Sequence, residues 1–249
     1  MHSNADTSLP AGFATLAHRN RQPELMDQPG LDQGLHAGAL RSLSRINWFS
    51  RTSRILWEPI HRLAGSQPGR TIRILDVACG GGDVARGLAG LARRAGVSVH
   101  VDGCDINEVA VNHARDEAGH RHVPNVGFFL HDALRSPVPE GYNVITSSLF
   151  LHHLEEHDAG LMLRAMARAA GQMVVASDLR RTRIGYAMAW AACRVLTRSP
   201  IVRVDGPLSV AAAFTMDEAR ELAARAGLEG ATISSRWPQR YLLVWKKSP

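Results

Sequence analysis

The sequence predicts an α/β protein in which a mostly parallel sheet carries helices on both faces, with a helical cap ahead of it. Three observations predict it. Strand-like runs alternate with helix-periodic segments from residue 72 to residue 177. The first of these runs ends in three consecutive glycines, Gly80 to Gly82, that open a helix. The chain then closes on one more helix and two strands.

In chain order, residues 1 to about 35 hold Pro10, Pro23 and Pro29 without a lasting period and read as a loose arm. Between Ala37 and Ala64, apolar residues recur at helical spacing with an interruption at Asn47 to Ser50, which predicts two short helices. The stretch SQPGR, 66 to 70, is a linker. Residues 1–66 are therefore expected to form an arm and helical lid, and residues 67–249 the main domain. In that domain, strands are expected at 72–78, 97–104, 125–130, 142–149 and 172–177, with helices at 83–95, 107–119 and 156–170. Residues 178–214 exceed a simple connector and form an insertion. A helix at 216–226 precedes ATISSRW and RYLLVWK, joined by Pro238 and Gln239, and so short a link forces an antiparallel pair.

With 249 residues, 45% hydrophobic and 21% charged, the chain can bury a full core. A net charge of +6 raises nucleic acid as a partner, but Lys246 and Lys247 are the only lysines, the arginines are scattered, and no basic run exceeds two. That dispersion fits a basic surface, and no nucleic acid is expected. Cys79, Cys104 and Cys193 lack paired spacing, which fits a reducing cytoplasm and no disulfide framework. The N-terminal residues lack the cationic start and apolar run of a secretory signal. The longest apolar stretch, Ile184 to Cys193, is about half of a membrane span.

The glycine turn carries the first chemical signal. Gly80, Gly82 and Ala85 fit the loose dinucleotide pattern G-x-G-x-x-A, so an NAD(P)-binding oxidoreductase has to be weighed. Asp76 argues against it: a carboxylate at the strand end repels a diphosphate and attracts a ligand bearing an ammonium group. Asp83, at the start of the next helix, adds a second negative charge where a diphosphate would lie. Asp105 ends the second strand, where its carboxylate can accept from ribose hydroxyls. Asp132 ends the third and can accept from an adenine amino group, with Ile106 and Ala133 as apolar walls for the ring.

Together D-x-A-x-G-G-G-D at 76–83, C-D-I-N at 104–107 and H-D-A-L at 131–134 resemble the class I S-adenosylmethionine-dependent methyltransferase family, over roughly residues 70 to 249. The resemblance implies a Rossmann-like, seven-stranded sheet whose last strand is antiparallel, with S-adenosyl-L-methionine as cofactor. It implies that Asp76, Ala78, Gly80 and Gly82 surround the methionine part, Asp105 the ribose and Asp132 the adenine. Ala78 stands where the family most often has glycine.

The acceptor side begins in SSLFLHHLEEHD, 147–158, just past the fourth strand. Ser148 and Leu149 are expected in the pocket lining, and His153 is the first choice of general base, with His152 behind it. A helix-end cap accounts for either histidine equally well. His153 and His157 stand i, i+4, but without an H-E-x-x-H pattern no metal is expected. In 178–214, Arg180, Arg181 and Arg183 beside Tyr186, Met188 and Trp190 suggest a greasy pocket with a basic edge. The same helix fits plain core or weak contact with a membrane surface. Trp48 and Trp57 are candidate lid residues, and Arg51 and Arg54 fit a helix surface.

These features indicate small-molecule methylation of the secondary-metabolism type, on oxygen of an aromatic or polyketide-like hydrophobic acceptor. Carbon methylation of a quinone precursor is the alternative, because DVACGGGDVA also resembles ubiquinone and menaquinone methyltransferases. A non-catalytic donor-binding regulator has the same turn. A nucleic-acid methyltransferase of the type carrying an N/D-P-P-Y/F tetrad does not fit SSLFLHHL.

Overall fold

The computed structural model describes residues 16–27 and 32–248. Parts of the expected loose arm, residues 1–15 and 28–31, lie outside the described residues. Residues 16–27 contradict looseness: they run across the main domain, tied down by side-chain bonds detailed below, and contain a 3-10 turn at Leu25–Asp27.

Two helices open the ordered chain, α1 (Gln33–Phe49) and α2 (Thr52–Gly65). Asp32 caps α1 by accepting from the Leu35 N–H at 2.9 Å. Then follow β1 (Ile72–Val77), α3 (Asp83–Arg94), β2 (Val99–Asp105), α4 (Glu108–His120), β3 (Val126–Leu130) and β4 (Tyr142–Ser148). A 3-10 turn at Leu151–His153 leads to α5 (Glu156–Ala169) and β5 (Ala170–Leu179). The insertion folds as α6 (Arg183–Leu196) and α7 (Pro200–Ala212). The chain ends with α8 (Met216–Arg225), β6 (Thr232–Arg236) and β7 (Arg240–Lys246). The β6–β7 link is Trp237, Pro238 and Gln239, one residue longer than expected, with Gln239 at φ 64° to close the turn.

The sheet order is β3-β2-β1-β4-β5-β7-β6. All pairings are parallel except those of β7, which runs antiparallel to both β5 and β6. The order reverses between β1 and β4, so the crevice for a ligand opens beyond the carboxyl ends of these strands. Both faces are covered. On one, α5 and α8 bury Leu163, Met166 and Leu222 against Leu75, Ile145 and Val174. On the other, α2, α3 and α4 bury Leu56, Ile60, Leu88 and Val111 against Ile72, Ile74 and Val101.

This packing corrects one expected role. Trp57 shares the inward face of α2 with Leu56 and Ile60, is buried, and stacks on His61, so it is core and not lid. A third, smaller cluster of Ala39, Cys193, Ile201 and Val202 joins α1, α6 and α7 above the carboxyl edge of the sheet. Among the described residues no helix is long and apolar enough to cross a membrane.

Candidate active site

A cavity of about 530 Å³ occupies the carboxyl edge of the sheet. Its floor is the turn after β1. Ala78, Gly80 and Gly82 all have positive φ, at 55°, 51° and 69°, which is why glycine dominates here and why alanine at 78 is a strained substitute. The two glycines differ in purpose. A Cβ on Gly80 would meet nothing within 4 Å, so its backbone faces open space in the cavity. A Cβ on Gly82 would lie 2.5 Å from the Phe128 ring and 2.8 Å from Ala114, so Gly82 permits close packing on β3 and α4 and does not line the cavity.

Three acids at strand ends organise the turn. Asp105 accepts the Gly80 N–H through Oδ2 at 2.8 Å and the Asn107 N–H through Oδ1 at 2.9 Å, locking the glycine turn to the end of β2. Asp132 accepts the N–H groups of Leu134 and Arg135 through one oxygen, at 3.0 and 3.1 Å. Both line the cavity with Ile106, Ala133 and Ser148. Asp76 is different: it is only 1% exposed, sits behind the turn and does not line the cavity. Thr146 donates to its Oδ1 at 2.8 Å, while Oδ2 has no hydrogen-bond partner. Burial, helped by Asp83 and Asp105 and opposed by the Thr146 bond, pushes its pKa up to about 7.

The part of the cavity bordered by α1 and β7 holds groups that the sequence did not point to. Arg240, the first residue of β7, is buried; it donates to Thr52 Oγ1 at 2.6 Å and Ser50 Oγ at 2.8 Å, and its Nε has no partner. Burial brings its pKa down to about 10 against the pull of Asp178 and Asp83. Asn47 of α1 bonds Asp83, whose carboxyl is nevertheless raised by burial, so the α1–α2 junction is stitched to the glycine turn. Leu40, Leu43 and Ile46 make α1 the roof. Trp48, the other candidate lid residue, points away and is 82% exposed.

Past β4, the chain turns sharply at Leu149, which has φ 55° and gives its N–H to Ser177. The 3-10 turn that follows presents His152 and His153 to the cavity. The sequence places His153 first and His152 behind it, and both border the cavity. His152 is the buried one; its Nδ1 meets Asp178 Oδ1 at 2.6 Å, and its backbone N–H gives to Oδ2 at 3.2 Å. Burial alone would raise Asp178, but the charge and hydrogen bond of His152, with the Leu179 N–H, hold it below the ordinary carboxylate value. His153 is a quarter exposed and faces Glu24 across 3.9 Å. His157 is exposed on α5.

Glu24 comes from the N-terminal segment. Its Oε1 accepts from Ser209 at 2.6 Å and stands 3.8 Å from His152 Nε2. The segment is anchored by Asp205, which accepts the Leu25 and Met26 N–H groups, and by Arg19, which donates to the carbonyls of His152, Leu154 and Ala212. The expected basic edge is absent from the cavity: Arg181 pairs with Glu218 and two backbone carbonyls, Arg180 with Ser235, and Arg183 faces solvent. Of α6, Ala189 and Cys193 line the cavity; Tyr186 is buried elsewhere, Met188 is exposed, and Trp190 lies under Arg194.

The arrangement fits S-adenosyl-L-methionine. Asp76 keeps an unpartnered buried acceptor behind the glycine turn, Arg240 lines the cavity with an unpartnered donor, the Gly80 backbone faces open space, and hydrogen-bonding acids sit at the ends of β2 and β3. A diphosphate has no place beside Asp76, Asp83 and Asp105.

The comparisons agree. Residues 74–196 match the family described as "Methyltransferase domain". No curated protein sequence matches the chain. The fold is similar to that of NcsB1, an O-methyltransferase from neocarzinostatin biosynthesis in complex with S-adenosyl-L-homocysteine and 1,4-dihydroxy-2-naphthoic acid. That match has a TM-score of 0.63 and 20% identity, over 94% of this chain and 67% of NcsB1. It is similar to the magnesium protoporphyrin IX methyltransferase of Synechocystis PCC 6803 with bound S-adenosylmethionine, with TM-score 0.53 and 16% identity over 90% and 88% of the two chains. It is also similar to the pyocyanin biosynthetic protein PhzM, with TM-score 0.54 and 20% identity over 79% of this chain and 55% of PhzM, about half the length of that relative. The methyltransferase-domain match spans the glycine turn and the strand-end acids, so residues 74–196 form an S-adenosylmethionine-dependent methyltransferase domain.

Proposed function

We propose that the protein methylates an oxygen of a hydrophobic small molecule, of aromatic or polyketide type. The observation that carries this reading is His152 on the cavity wall with buried Asp178 behind it, 2.6 Å from its Nδ1. When bound, the donor supplies an electrophilic methyl on a sulfonium. Asp105, Ile106, Asp132 and Ala133 hold its adenosine; Ala78, Gly80 and Ser148 border the methionine part, with Arg240 facing the carboxylate and the charge of Asp76 acting on the ammonium from behind the glycine turn. The Nδ1–H of His152 donates to Asp178, which turns Nε2 toward the acceptor. A phenol has a pKa of about 10, so a base that takes its proton as the oxygen attacks is worth about 10²–10⁴ in rate. Asp178 is a positioning residue that fixes the tautomer and stabilises the imidazolium.

The roof of Leu40, Leu43 and Ile46 supports the reading of residues 1–66 as an arm and lid. Exposed Trp48, Phe49, Ile184 and Trp237 support weak contact with a membrane surface, from which a greasy acceptor can be drawn.

The test is turnover of His152→Ala and Asp178→Asn with labelled donor and an acceptor identified by mass spectrometry. The expected result is a kcat loss of about 10²–10⁴ for His152→Ala with donor Kd unchanged. An unchanged kcat overturns the base and favours carbon methylation of a quinone precursor, which needs less of one.

A further inference from the structure

We propose that Glu24, His152 and His153 form a three-ligand site for a divalent transition-metal ion. One carboxylate oxygen and two imidazole nitrogens lie within 4.8 Å of one another, and among the described residues this is the group of histidine, cysteine or acidic side chains so arranged. The individual spans are 3.8 Å from Glu24 Oε1 to His152 Nε2 and 3.9 Å from the other oxygen, Oε2, to His153 Nε2. Both are too long for a hydrogen bond. They suit ligands on opposite sides of an ion: bonds of about 2.0–2.1 Å at a tetrahedral angle set their atoms about 3.4 Å apart. Glu24 needs to close on each imidazole by about 0.5 Å, and the whole group, which spans up to 4.8 Å, by up to about 1.4 Å.

The surroundings match the chemistry. Asp178 takes the Nδ1–H of His152, leaving Nε2 as a lone pair, and a carboxylate behind a ligating imidazole is the usual way that ring is oriented and made more basic. Ser209 donates to Glu24 Oε1, the oxygen that faces His152, at 2.6 Å and so fixes the carboxylate. Arg19, bonded to the carbonyls of His152 and Leu154, couples the segment carrying Glu24 to the turn carrying the histidines. Two imidazoles and one carboxylate select a transition metal over calcium or magnesium, and the side facing the cavity leaves room for a further ligand. The spacing of His153 and His157 does not build this site, because His157 is exposed on α5.

One consequence rests on the proposed role of His152: an ion on Nε2 occupies the atom that takes the acceptor's proton, so metal occupancy and oxygen methylation oppose each other.

The experiment uses the full chain, stripped by chelator and titrated with Co²⁺ and then Zn²⁺, read by visible absorption and by retained metal per chain. Expected are one Co²⁺ with the visible band of a four- or five-coordinate ion, its displacement by Zn²⁺, and affinity losses of tenfold or more in Glu24→Gln and His153→Ala. His157→Ala should bind as the native chain does. Circular dichroism checks that each variant is folded. Absence of stoichiometric Co²⁺, or folded Glu24→Gln and His153→Ala chains that bind like the native one, overturns the site. Zn²⁺ that binds at one per chain without slowing turnover upholds the site and overturns instead the role of His152 as base.

Discussion

Asp76→Asn separates what the buried carboxyl costs from what it does. In the native chain its pKa stands at about 7 against an ordinary 3.8, chiefly through burial. A carboxyl raised in this way favours folding only while protonated: its penalty begins as pH passes 3.8 and is complete once pH exceeds 7. At about 1.4 kcal/mol per pH unit, the penalty is about 4 kcal/mol at pH 8 and about 2 kcal/mol at pH 5. Asparagine keeps an acceptor for Thr146 and carries no titrating proton. The stability of Asp76→Asn relative to the native protein should therefore rise by about 2 kcal/mol between pH 5 and pH 8. Urea unfolding of both proteins at the two pH values measures it, since the other carboxyls titrate alike in each. Donor binding supplies the second arm. An ammonium beside Asp76 favours the ionised carboxyl, so native affinity should increase as pH rises through 7 and the variant should lack that increase. Stabilities that move in parallel, within about 0.5 kcal/mol, would refute the account of a carboxyl held out of water with one oxygen unpartnered.

The turn and the missed groups give further tests. Gly82→Ala combines a positive φ with a Cβ 2.5 Å from Phe128, so it should cost about 2–5 kcal/mol in denaturant unfolding; a loss under about 0.5 kcal/mol contradicts that packing. Gly80→Ala has space around it and should cost only about 1–2 kcal/mol while weakening donor binding by calorimetry. Arg240→Met should raise the donor Kd about 10–100-fold, the worth of a charge-assisted hydrogen bond; an unchanged Kd removes Arg240 from the donor site. Trp48→Ser combined with Trp237→Ser should lower co-sedimentation with anionic phospholipid vesicles, and equal sedimentation ends the membrane-surface reading.

What was legible in the sequence was whatever repeats or recurs locally. Apolar runs gave the strands because parallel strands covered on both faces are continuously apolar, as in β1, where five of six residues are buried. The strand-end acids Asp105 and Asp132 could be read because the carboxyl ends of parallel strands are where side chains meet ligand. Asp178 ends β5 in the same way, so its signal was present; nothing local, however, pairs it with His152. Trp57 was misplaced because residue type was weighed above helical phase: it lies beside Leu56 and Ile60 on the inward face, while Trp48 does not. Glu24 and Arg240 carried no signal at all. Each is a single charged residue brought to the site by tertiary contacts, one by a segment pinned to Asp205 and the other by the only strand that runs against the sheet.

Charge makes the same point at a larger scale. The chain carries a net +6, yet among the described residues the cavity is lined by five carboxylates, Glu24, Asp83, Asp105, Asp132 and Asp205, and one guanidinium, Arg240. The arginines that make the protein basic are spent elsewhere, on Glu218, on backbone carbonyls and on solvent. In a partly desolvated space, opposite charges a few ångströms apart interact several times more strongly than in water. The field a ligand meets is thus set by these few acids and not by the surface total. An interior of that sign draws in a sulfonium and an ammonium while turning away a diphosphate. It also draws in a divalent ion, and Glu24, the one carboxylate facing both histidines, is where such an ion gains most.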